Sequence, residues 1–110
     1  MIHVRVCKIA DINKQLLKLI EENRDKKLLS DKYSRDMILK LAPTKNVYLK
    51  KEDINDTNNV INVIIVDREI NYIKLYNLVS KLLNSNLYTY IITTRRSSKE
   101  IENVIRRLES

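Results

Sequence analysis

Not one of the 110 residues is glycine. Glycine adopts left-handed backbone without steric cost and averages about 7% of protein residues, so roughly eight would be expected in a chain of this length. Three devices built on glycine are excluded at once: the phosphate-cradling P-loop, the GxGxxG dinucleotide turn and the GxSxG nucleophile elbow. Left-handed turn positions must pass to asparagine, whose short polar side chain tolerates that backbone. Asparagines cluster at two places suited to the task, "NDTNN" at 55–59 and "NSN" at 84–86.

The segments between these turns carry clear periodicities. "IHVRVCKI" alternates, with Ile2, Val4 and Val6 on one face and His3, Arg5 and Cys7 on the other, the period of a half-buried strand. Asp11 is placed to cap a helix in which Ile12, Leu16, Leu19 and Ile20 recur at helical spacing, until "ENRDKK" ends the pattern. A second helix is expected over 31–41, where Tyr33, Met37, Ile38 and Leu41 share a face and Pro43 drives Ala42 out of helical backbone. "NVYLK" reads as a short strand and the polar "KKEDINDTNN" as a loop.

"NVINVIIVD" is nearly continuous in β-branched residues and fits a central strand covered on both faces. Asp67 ends it and is expected to cap a helix over 68–84. Nine apolar residues wrap most of that helix's circumference, more than one sheet face can cover. Either the helix is sandwiched inside the domain, or Tyr72, Leu75, Tyr76, Val79 and Leu83 form a subunit interface, which would make the protein a homodimer. "LYTYIITT" is the last strand, and Ser97 with Glu100 reads as a capping box opening a final helix with Ile101, Val104, Ile105 and Leu108 on one face. The expected fold is a single α/β or α+β domain over 1–110: a mixed sheet of three to four strands with about four helices, its C-terminal half running β-α-β-α.

Charge bears on partners. The net charge of +7 and pI near 9.6 make a polyanion the first ligand to consider, although the cations are spread along the chain and form no dense basic tail. One cysteine and one histidine exclude an intramolecular disulfide and a zinc cluster, and no metal or other cofactor is expected. The longest apolar run is far short of the ~20 residues that span a bilayer, no signal-peptide pattern opens the sequence, and a cytoplasmic location is expected. The Ile-, Asn- and Lys-heavy, Ala-poor usage points to an AT-rich genome, such as that of a virus or other mobile element.

The strongest candidate site is the junction "TTRRSSK". Thr94, Arg95, Arg96, Ser97, Ser98 and Lys99 fall where a strand enters a helix, and open N–H groups beside two cations can hold a phosphate there. The same residues also serve as ordinary caps in a chain that lacks glycine. Asp67, Arg68 and Glu69 fall at the equivalent edge of the preceding strand, which adds Arg68 to the phosphate-binding set. Two carboxylates without a third ligand make a poor metal site. His3 pairs with no acidic partner in the sequence pattern. Tyr88 and Tyr90 share a strand face and offer stacking surface to single-stranded bases, or packing surface to a helix.

The order "VRVCK"–helix, Arg35 on a later helix, then "IIVDRE" and a long helix into "YTYIITT" resembles the catalytic domain of serine recombinases (resolvases). The resemblance covers most of the chain and implies that Arg5, Arg35, Asp67 and Arg68 match that family's phosphate-binding and supporting positions. Cys7 stands where the family has its nucleophilic serine, Asn71 replaces a second arginine, and the family's glycines are missing. What the resemblance implies is a DNA-binding relative that has lost strand exchange. The function expected from the residues is a small basic, non-enzymatic binding protein contacting nucleic-acid phosphates. The alternatives are a protein-interaction module using the apolar helix at 68–84 and, third, a recombinase-like domain or nuclease.

Overall fold

The alternating segment at the N-terminus forms β1 (Ile2–Cys7), and a single 3-10 turn (Ile9–Asp11) leads into α1 (Ile12–Glu22). There follow β2 (Lys27–Leu29), α2 (Lys32–Leu41), β3 (Val47–Tyr48), a 3-10 turn (Lys51–Asp53), β4 (Val60–Val66), α3 (Tyr72–Asn84), β5 (Tyr88–Thr94) and α4 (Arg95–Glu109). The computed structural model describes all residues 1–110. It is an α/β domain in which four helices flank one five-stranded sheet of order β1-β5-β4-β2-β3, every pair parallel.

The expectation of three to four strands in a mixed sheet is corrected on both points. The extra strand is β2, three residues long, of which only Leu28 is buried, so its hydrophobic signal is lost inside a basic stretch. The neighbours that follow one another in the chain are joined by helical crossovers, β2 to β3 through α2 and β4 to β5 through α3, which leaves each pair parallel.

The sheet separates two cores. On one side Ile12, Leu16 and Leu19 of α1 and Ile38 of α2 meet Leu28, Ile61, Val63, Ile65 and Ile92. On the other, Leu75, Val79 and Leu82 of α3 with Ile101 and Val104 of α4 meet Ile64, Val66 and Ile91. Strand β4 feeds both, which is why it reads as a continuous β-branched run and is buried along its whole length. Each fully buried Leu or Ile contributes about 1.5–3 kcal/mol relative to exposure, so the two faces of β4 and β5 hold much of the fold's stability.

Polar details complete the sheet. Asn62 on β4 is buried, and its Nδ2 donates to Ser85 Oγ and Thr89 Oγ1, both at 2.9 Å. Beyond the end of the short β2, the Ile65 N–H of β4 donates instead to Ser34 Oγ of α2 at 2.8 Å. The two left-handed residues are Asn59 (φ 60°) and Asn86 (φ 58°), one in each expected asparagine turn.

Helix starts differ from expectation at two places. α3 begins at Tyr72 with Asn71 as its cap, Asn71 Oδ1 accepting from Lys74 N at 2.9 Å, because Asp67 is occupied by the Tyr33 hydroxyl. α4 begins at Arg95, two residues before the supposed capping box, so Ser97 lies inside the first turn. α2 starts as expected, Asp31 Oδ1 accepting from Ser34 N at 2.8 Å. No helix is long and apolar enough to cross a membrane.

Candidate functional site

In a parallel sheet all carboxyl ends lie on one rim, and a crevice opens where adjacent strands send their following helices to opposite faces. β1 leads into α1 on one face and its neighbour β5 leads into α4 on the other, so one such crevice falls between Cys7–Lys8 and Thr94–Arg95; the β4–β2 pair, followed by α3 and α2, makes a second. A cleft of about 610 Å³ occupies the first of these positions, floored by Val6, Cys7 and Thr94 and walled by Lys8, Ile9, the 67–69 turn and the first turn of α4.

The charges around it are unequal. Arg96 Nη2 donates to Glu69 Oε1, and the pair is exposed. Tyr33 Oη donates to Asp67 Oδ1 and Oδ2 at 2.8 and 2.9 Å, and the Arg68 guanidinium lies over the Tyr33 ring at 3.9 Å. Burial first, and then this hydrogen bond to Asp67, hold the Tyr33 hydroxyl above the usual tyrosine range. Lys8 and Arg95 take part in none of the three ion pairs of the chain, so two free cations face a cleft whose two carboxylates are already engaged.

The helix adds its own positive end. Thr94 is the N-cap of α4, in extended backbone, and its side chain makes no capping hydrogen bond. The first N–H groups of any α-helix lack partners within the helix, so those of α4 stay open toward the cleft, where the dipole favours an anion. Ser98 does not help fill them: it is buried and its Oγ donates to Arg95 O at 3.1 Å.

The structure therefore brings Thr94, Arg95, Arg96, Ser97 and Arg68 to one cleft, and leaves Ser98 turned inward and Lys99 outside the lining. Lys8 is the site residue that sequence reasoning missed. It lies far from the junction in the chain, and only the parallel β1–β5 pairing, Cys7 opposite Thr94, places it there. The expected subunit interface is corrected in part. Leu75 and Val79 are interior residues packed beneath α3, and Leu83 is half-buried on the same core, whereas Tyr72 and Tyr76 are exposed together with Ile73.

Burial, then Asp11, push the Cys7 thiol up from its ordinary value, which keeps it protonated. No group of three potential metal-binding side chains exists in the chain. Of the arginines in the recombinase resemblance, Arg5 Nη1 donates to Glu22 Oε1 at 2.9 Å and Arg35 Nε donates to Val47 O at 3.3 Å, and neither lines the cleft. The chain matches no family model, no curated protein and no solved structure.

Proposed function

We propose that this protein binds nucleic acid through its phosphates, without catalysing a reaction on it, at the cleft between β1 and β5, and that it does so in the cytoplasm. The observation that carries the reading is the uncapped N-terminus of α4 facing a cleft in which Lys8 and Arg95 have no acidic partner. Open N–H donors and two free cations match a phosphate, and an overall charge of +7 attracts a polyanion to the surface before it docks. The arrangement supplies phosphate contact and little base readout.

The test is fluorescence anisotropy of a labelled oligonucleotide over a salt series. Affinity should fall linearly on a log–log plot, and the Lys8→Gln/Arg95→Gln variant, which removes two phosphate contacts, should lower that slope by about 1.4 on a single strand or 1.8 on a duplex. Arg106→Gln removes the same kind of charge from α4 about 16 Å further along the helix and should leave the slope unchanged. An affinity indifferent to salt, or a slope the double variant does not alter, refutes the reading.

A second reading is a protein contact, with a second copy or another protein, through α3. Tyr72, Ile73 and Tyr76 are exposed on one side of α3, Ile73 at 71%, with only the Tyr72 hydroxyl held, by Arg107 Nη1 of α4 at 2.9 Å. Sedimentation of the wild type as a monomer, unchanged by Ile73→Lys, would remove the homodimer.

A further inference from the structure

On the face of the sheet that carries α1, the helix lies over β5 and β4, and its last turn reaches β1 where Glu22 accepts from Arg5. The outer part of that face, formed by the first halves of β1 and β5, is open. It presents three rings in a run. His3 lies 5.9 Å from Tyr88 with their planes 9° apart, and 5.3 Å from Tyr90 with planes 25° apart. Register explains the arrangement, since His3 is opposite Tyr90 across the parallel pair and Tyr88 is two residues earlier on the same face of β5. The Arg5 guanidinium closes one end of the run, 5.1 Å from the Tyr90 ring centre, while Tyr88 at the other end is 57% exposed.

Packing alone does not account for this end of the run. Tyr90 contributes to the core beneath α1, but His3 on the edge strand β1 and Tyr88 at the start of β5 are exposed and stand outside it. A ring stack that ends in an exposed tyrosine matches an unpaired base, because every base has a π-face to lay against it. The stack and the anion cleft are on the same strand pair: from His3 to Lys8 the chain advances five residues along β1 and its end, about 17 Å.

We propose that the Tyr88–His3–Tyr90 face is a stacking platform for unpaired bases, and that the polyanion bound by this protein is a single strand of DNA or RNA, its bases on the platform and its backbone leading to the β1–β5 cleft. The inference rests on the nucleic-acid reading of that cleft. A duplex keeps its bases stacked on one another and has none to give to the platform.

The chain has one histidine, so the ring-proton resonances of His3 report on the platform without ambiguity. Oligothymidylate, oligouridylate and a duplex of equal length are titrated into the wild type, Tyr88→Leu, Tyr88→Phe and Arg95→Gln proteins, with folding checked by circular dichroism. Either single strand, DNA or RNA, is expected to move the His3 resonances, and the duplex to leave them in place. Tyr88→Leu should weaken single-strand binding by about 5- to 150-fold, the loss of one stacked base, and Tyr88→Phe should retain it. Single-strand binding that Arg95→Gln weakens and Tyr88→Leu leaves intact overturns the platform alone. Absence of binding by all three nucleic acids overturns the phosphate site and the platform together.

Discussion

Removing the Tyr33 hydroxyl isolates the contact that engages Asp67 at the wall of the anion cleft. Tyr33→Phe leaves the ring in place beneath Arg68 and deletes the bond to both Asp67 oxygens. A hydrogen bond to a charged group contributes about 1.5–3 kcal/mol net, and because both partners are only half-buried, the low end applies, about 1.5 kcal/mol. For a chain of this length that corresponds to a fall in Tm of roughly 6–10 °C. Urea denaturation followed by far-ultraviolet circular dichroism measures the difference directly, and an unchanged m value would show that the denatured state is unaffected.

The pH dependence of that difference follows from the direction of the shift. The folded state holds the Tyr33 proton more tightly than the unfolded chain does, so the extra stability of the wild type is complete below the unfolded value of about 10. It is lost as pH climbs from there through the higher folded value. The gap between wild type and Tyr33→Phe should accordingly be flat through neutral pH and narrow above about pH 10. A gap under about 0.5 kcal/mol at neutral pH, or one that widens in base, would refute the assignment of Tyr33 as the clamp on Asp67.

Two further substitutions probe the scaffold. Asn62→Val should cost about 1–3 kcal/mol by urea denaturation, since it strips the donor from Ser85 and Thr89, and adding Thr89→Val should recover part of the loss; strictly additive costs would mean the buried pair is not coupled. At Asn86, with φ of 58°, Ala should lower stability by about 1–2 kcal/mol and Gly should be tolerated, as read by thermal melting; an Ala variant as stable as the Gly variant would show that the turn does not require left-handed backbone.

Elements whose periodicity and punctuation agree were legible from the residues alone. β1 forms over its alternating segment, although Val6 near its end is exposed and Cys7 half-buried, α2 runs from its Asp31 cap to a stop imposed by Pro43, and both asparagine turns contain the left-handed residue they were expected to contain. β2 was not legible, because three residues with one buried side chain carry no period, and its existence depends on pairing with β3 and β4. The start of α3 was misplaced because Asp67 is a good cap in isolation, and only the fold brings Tyr33 to it across 34 positions. The excess apolar surface of α3 has a mixed origin: α4 and the sheet take Leu75, Val79 and Leu82, while Tyr72, Ile73 and Tyr76 remain outside. Half of the candidate site was visible as "TTRRSS", whereas Lys8 entered through strand order, a property that no local window contains.

The place of β1 at the border of the sheet bears on how the chain is made. Its sole hydrogen-bonded neighbour is β5, with Ile2 beside Thr89, so β1 leaves the ribosome long before the strand it pairs with. At about 5–20 residues per second that delay is roughly 4–17 s, during which Ile2, Val4 and Val6 have no sheet to join. Vectorial folding from the N-terminus is therefore closed to this topology, and a nascent chain stalled before residue 88 would offer a bare strand to chaperones or to its neighbours on the same message.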